Sequence, residues 1–152
     1  MWAQAVVVGV VAAAGWWAVD AALEVPVTDA ARARTVAESM AVYRAAVVAY
    51  ATAQPGFEGS VDDGLLSLPS WWNGHPGISA VVQGPWVAVY LNRPAPVDVL
   101  AQMQRLSAGS LLVGVAHSAS GTLYAPLLGD TGLPVPAQVP DGAPVWLGVR
   151  GT

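Results

Sequence analysis

Residues 78–91 read ISAVVQGPWVAVYL. Two runs, 78–83 and 86–91, are rich in Val, Ile, Trp and Tyr, and Gly84-Pro85 separates them. That pattern predicts two β-strands joined as a hairpin by a tight turn. Downstream, residues 96–106 predict a helix with Val97, Leu100, Met103 and Leu106 on one face. Residues 111–118 predict a strand, which Ala119-Ser120-Gly121 turns into a shorter one at 122–125. A Gly- and Pro-rich connection, 128–144, in which Asp130-Thr131-Gly132 reads as a turn, leads to a last strand at 145–149.

Upstream of the hairpin, Thr28-Asp29 is suited to cap a helix running to about Gln54, where Pro55-Gly56 ends it. Val36, Met40, Tyr43, Val47 and Tyr50 fall at spacings of four, three, four and three, which makes one apolar stripe for core contact. Arg34 and Glu38 form an i,i+4 pair of opposite sign. Asp62-Asp63 reads as the cap of a short helical turn over 64–68, closed by Pro69. A leading helix followed by clustered strands predicts an α+β domain, the long helix packed on an antiparallel sheet. This has the shape of a pilin, a likeness that by itself carries no function.

Residues 1–19, MWAQAVVVGVVAAAGWWAV, contain no charged side chain. At about 1.5 Å per residue a helix of this length crosses most of a bilayer core of roughly 30 Å. Trp2, Trp16 and Trp17 fit interfacial aromatic belts, and Gly9 and Gly15 allow close helix contact. A cleaved secretory signal calls for a basic stretch at its start, and the first basic residue is Arg32. The expected organisation is therefore a transmembrane anchor at 1–19, a linker at 20–28 broken at Val25-Pro26-Val27, and a single α+β domain at 29–152. Arg32 and Arg34, just after the span, favour a cytoplasmic domain by charge, although long domains translocate largely regardless of such charges.

The net charge is −4, with six Arg and no Lys, so the basic footprint of a nucleic-acid binder is absent. The absence of cysteine removes disulfides, thiolate nucleophiles and Cys-based metal sites. His75 lies in the turn Asn-Gly-His-Pro-Gly, and His117 ends a strand before Ser118 and Ser120. A two-histidine metal site needs a carboxylate as well, and Asp62, Asp63 and Asp130 are the candidates, but no spacing signature brings them together. Around Ser110 the glycines of a nucleophile elbow are replaced by Ala108 and Leu112. No phosphate-binding loop is present. No cofactor and no metal are expected. Of the seven tryptophans, Trp71, Trp72, Trp86 and Trp146 lie outside the anchor. They are core residues or, where exposed, contact hot spots.

Four stretches carry a resemblance: 39–59 (SMAVYRAAVVAYATAQPGFEG), 68–72 (LPSWW), 110–115 (SLLVGV) and 129–144 (GDTGLPVPAQVPDGAP). With the short hydrophobic start, they resemble the PilM family of plasmid type IVb pilus systems, the small membrane protein of conjugative thin-pilus operons rather than the actin-like ATPase of the same name. Tyr43-Arg44 with Gln54-Pro55-Gly56-Phe57 is the most specific part. The resemblance implies a pilus-biogenesis component in the bacterial inner membrane with a periplasmic domain, without catalytic residues or cofactors. It outweighs the charge argument for orientation. The expected function is non-enzymatic: contacts with pilins or other pilus assembly proteins, through a surface containing Tyr43, Arg44, Phe57, Trp71 and Trp72. Two rivals stand beside it. One is a minor pilin-like filament subunit, against which Ala5 counts because pilins usually carry Glu there. The other is a membrane-tethered hydrolase using His75 or His117.

Overall fold

The structure, a computed structural model, describes residues 2–151, with side chains described from Thr28 onward. Helix α1 runs from Trp2 to Ala53. The expected break at Val25-Pro26-Val27 and the expected cap at Thr28-Asp29 are both overturned, because α1 is continuous through them. A proline removes one backbone hydrogen bond and crowds one carbonyl, a cost that a long helix can absorb as a kink rather than a break. The anchor expected at residues 1–19, with Trp2, Gly9, Gly15, Trp16 and Trp17, has its side chains outside the described residues. Among the described residues no helix is long and apolar enough to cross a membrane.

From Ala33 onward α1 buries one face. Ala33, Val36, Ala37, Met40, Tyr43, Val47 and Ala51 are buried, and Tyr50 is half-buried at the edge of the stripe. The exposed face carries the expected Arg34–Glu38 pair at 2.7 Å. Gln54 N–H closes the last turn on the Tyr50 carbonyl at 2.9 Å, and Pro55 has no N–H with which to continue it.

The strands are β1 (Gly59–Ser60), β2 (Ile78–Gln83), β3 (Trp86–Leu91), β4 (Val113–His117), β5 (Thr122–Ala125), β6 (Gly129–Pro134) and β7 (Pro144–Val149). They form one antiparallel sheet in the order β1-β2-β3-β7-β4-β5-β6. The β2–β3 hairpin has the expected bounds, and its register closes with Gln83 opposite Trp86. The last strand lies at the centre: β7 pairs β3 from Trp86↔Val149 to Tyr90↔Val145, and pairs β4 on its other edge.

Both faces of the sheet are covered. On the helix side Val82, Val87, Val89, Leu91, Val113 and Trp146 meet α1 and the second helix, α2 (Val99–Leu106), which buries Val99 and Met103. On the other side Val81, Ala88, Tyr90, Leu123, Val145 and Leu147 meet Val139 and Ala143 from the connection between β6 and β7. The alternation of a half-buried strand is thus replaced by strands buried on both faces.

Three further expectations are corrected. Helix α2 starts at Val99 rather than Pro96, because Asp98 adopts φ 66° and breaks helical continuity. Val97 is therefore outside the helix and 72% exposed, and Leu106 is exposed as well. The Gly/Pro-rich connection contains a strand, β6, which its composition hides. Asp130-Thr131-Gly132 keeps its turn chemistry inside that strand. Asp130 Oδ1 accepts from Gly132 N–H at 2.9 Å, and Thr131 Oγ1 accepts from Leu133 N–H at 3.2 Å while donating to the Leu123 carbonyl at 2.7 Å. Two N–H groups of β6 are thus satisfied by its own side chains where the register between β5 and β6 is irregular. Strand β1 was also unforeseen, being only two residues long.

Arg150 locks the C-terminus to the end of α1. Its Nη1 donates to the carbonyls of Pro55 at 2.8 Å and Phe57 at 3.3 Å, and its Nη2 to Glu58 at 3.1 Å. Glu58 in turn accepts from Gly84 N–H in the β2–β3 turn at 3.0 Å. The Arg150 side chain is 14% exposed, so these bonds are shielded more than a surface ion pair. Arg150→Ala is expected to destabilise the fold by about 2 kcal/mol in urea denaturation, the value of losing charge-assisted bonds to carbonyls. A change below about 0.5 kcal/mol, the range of an ordinary surface substitution, would remove this clamp from the account.

Candidate functional site

The five residues expected to share a contact surface separate into interior and exterior. Tyr43 is 1% exposed, and its hydroxyl donates to Asp63 Oδ1 across the segment that follows β1. Its ring stacks on Trp72 with centroids 5.4 Å apart and planes at 26°. Burial, and then the bond to Asp63, raise the Tyr43 phenol well above its usual pKa. Tyr43 therefore moors the 61–72 segment to α1 and presents no surface of its own. Asp62 caps the 3₁₀ turn Asp63–Leu65 by accepting from Gly64 N–H at 2.8 Å, as the sequence suggested, although the turn is shorter than expected.

Arg44 is also turned inward. Its Nε donates to the Leu147 carbonyl at 2.6 Å, and its guanidinium lies 5.8 Å from the centre of the Trp146 ring. Burial lowers its pKa from the usual arginine value. Gly148 makes room for this packing: a Cβ there would lie 2.7 Å from Val48 Cγ2 and 3.3 Å from Arg44 Nε. Phe57 is half-buried edge-on against Tyr50, centroids 5.2 Å apart. Of these five residues only Trp71, 65% exposed, offers the solvent a large aromatic face. The four tryptophans divide accordingly: Trp146 is buried, Trp72 and Trp86 are half-buried, and Trp71 is exposed.

The two histidines are far apart in role. His75 is half-buried, and its Nδ1 is buried without a hydrogen-bond partner among the described residues. His117 is exposed at the end of β4, with Nδ1 3.0 Å from Ser120 Oγ, which also contacts Thr122 Oγ1. Asp130 stands beside His117, as does Asp141, which the sequence reading did not single out; Asp62 and Asp63 lie elsewhere, with Tyr43. Among the described residues no group of three or more His, Asp or Glu is arranged to hold a metal ion.

His117, Tyr124, Asp130 and Asp141 line a depression of about 370 Å³. Strands β4, β5 and β6 bring the first three together. Asp141 arrives from the far side, where Gly142 N–H bonds the Ala116 carbonyl at 2.8 Å. Both carboxyls are held below the usual carboxylate range. Asp130 is lowered first by Gly132 N–H and then by the Thr122 hydroxyl, and Asp141 by Ser118 N–H, 2.7 Å away, and then the Ser118 hydroxyl; His117 adds a smaller effect on each. A carboxyl with a depressed folded pKa contributes stability above its unfolded value, here 3.8, and that contribution fades as pH falls through the lower folded value. In acid titrations below pH 3.8, Asp130→Asn/Asp141→Asn is expected to flatten the fall in urea midpoint. An unchanged slope would place the acid sensitivity elsewhere.

The PilM family model matches residues 7–147, from within α1 to within β7. The chain belongs to the PilM family. Among solved structures, a PilM protein from Escherichia coli B7A is similar at TM-score 0.58 and 18% identity, covering 78% of this chain and 93% of that one. That likeness is one of fold. A pilM protein from Pseudomonas aeruginosa 2192 is 32% identical over 78% of this chain and 95% of that one, with TM-score 0.46. Curated proteins give no match. PilM membership makes the chain a pilus-biogenesis-related protein. Of the Tyr43-Arg44 motif that carried the resemblance, Tyr43 belongs to this PilM domain's core and Arg44 packs half-buried at its edge.

Proposed function

We propose that this chain is a non-enzymatic component of type IVb, conjugative thin-pilus biogenesis, anchored in the bacterial inner membrane with its domain in the periplasm. The PilM match over residues 7–147 carries this reading. The internal chemistry supports it: Tyr43, Asp63, Arg44 and Arg150, the groups with the most distinctive environments, are spent on holding segments together. The domain acts by contact with pilins or other pilus assembly proteins.

A second reading, a minor pilin-like subunit, is favoured by one observation. Helix α1 is continuous from Trp2 to Ala53, and its second half packs on an antiparallel sheet. Shearing pili from cells carrying the tagged protein separates the two. The assembly-factor reading expects full-length protein confined to the membrane fraction and loss of pili on deletion. Protein recovered in the sheared filaments would make it a subunit, and normal pili in the deletion strain with no protein in the filaments would sink both.

A further inference from the structure

The turn between β5 and β6 carries Leu127, 88% exposed, and Leu128, 64% exposed. Hairpin turns ordinarily take Gly, Asn, Asp or Ser. Two leucines there leave most of their area in water, yet they stand on a hairpin held in shape by the local bonds of Asp130 and Thr131. A pair of apolar side chains on a preorganised turn has the form of an interface anchor, because little ordering entropy remains to be lost on contact.

What lies beside the tip specifies the partner. Ala125↔Gly129 closes the hairpin, and the next pair is Tyr124↔Asp130, so these two side chains share a face at the base of the tip. Tyr124 is 45% exposed there, and Asp141 forms another part of the same depression, next to His117. One aromatic ring and two carboxylates held ionised by N–H donors complement a guanidinium, which stacks on the ring and pairs with the acids.

We infer that Leu127 and Leu128, with Tyr124, Asp130 and Asp141, form a docking surface for a segment of another protein that presents an arginine or lysine beside an apolar groove. This deepens the contact role proposed above and rests on it. A membrane surface is the poorer occupant, since Asp130 and Asp141 repel anionic headgroups.

The test uses the full chain in cells, with the photo-crosslinker benzoylphenylalanine at position 127 and, as a control, at exposed Val97. The expected result is a protein crosslink specific to position 127, mapping by mass spectrometry to a peptide with an arginine or lysine next to apolar residues. Its yield falls at least about tenfold in Asp130→Asn/Asp141→Asn, the scale of losing opposed charges at an interface. This variant keeps the acceptor oxygens, and a single cooperative thermal transition well above the assay temperature verifies the fold. Crosslinks to lipid, to a second copy of this chain, or to peptides without basic residues overturn the inference, as does no crosslink. Loss of pili on deletion without a crosslink defeats this surface and leaves the pilus role standing. A basic-segment crosslink to a protein outside the pilus system defeats the pilus role and leaves the surface.

Discussion

Gly114→Ala is expected to destabilise the domain by about 3 kcal/mol or to prevent folding, at the upper end of what forced overpacking does. A Cβ at Gly114 would run into the Tyr124 carbonyl oxygen, with the Tyr124 carbonyl carbon at 2.9 Å and Leu123 Cγ at 3.1 Å. The obstacle is backbone, which has no rotamer to change. Gly114 sits in β4 opposite Val145 of the central strand β7, so relief by moving β4 breaks the pairing at the middle of the sheet. The control is Gly56→Ala, where a Cβ meets nothing within 4 Å, and a change under about 0.5 kcal/mol is expected. Urea denaturation of both variants checks the pair. Equal stabilities would mean that β5 does not approach β4 as closely as described.

Tyr43 is expected to give an effect at least as large, in a graded series. Tyr43→Ala removes a fully buried ring from between α1 and Trp72, and a loss of about 3–5 kcal/mol is expected for a core aromatic. Tyr43→Phe keeps the ring and removes the hydroxyl that binds Asp63, for which about 1 kcal/mol is expected. Because that bond moors the 61–72 segment, Tyr43→Phe is also expected to speed limited proteolysis there while cleavage elsewhere stays unchanged. Identical proteolysis of wild type and Tyr43→Phe would show that the ring stack alone holds the segment. Pili that are lost in Tyr43→Phe with stability intact would return Tyr43 to the contact surface.

The β2–β3 hairpin was legible because its signal is local: β-rich runs, a Gly-Pro turn and matched lengths. The apolar stripe of α1 was legible because helical period and burial coincide at Val36, Met40, Tyr43 and Val47. Strand β6 was not, because Gly129-Asp130-Thr131-Gly132 is turn chemistry placed at a sheet edge, where local side-chain bonds and strand pairing coexist. Helix α2 was drawn too long because Pro96 suits a helix start, while the positive φ of Asp98 is a backbone choice that apolar spacing does not record. Among candidate site residues, Arg44 read as a surface cation because its neighbours in sequence are unremarkable. Its partners, Leu147 and Trp146, lie about a hundred positions away. Leu127 and Leu128 passed unnoticed since apolar residues in a loop stand out only when their exposure is known.

The class of the protein is readable from composition and local pattern: a long helix with one apolar face, an antiparallel sheet, no thiol chemistry, no basic footprint for nucleic acid and the motifs of the PilM family. Those properties follow from composition and from periodicities over a few residues. The placement of the last strand at the centre of the sheet, the inward turn of Tyr43 and Arg44, and the meeting of His117, Tyr124, Asp130 and Asp141 at one depression come from long-range packing. Each of these depends on which distant segments pair, and that choice is made by burying two faces of one sheet at once, a constraint that no short stretch of chain contains.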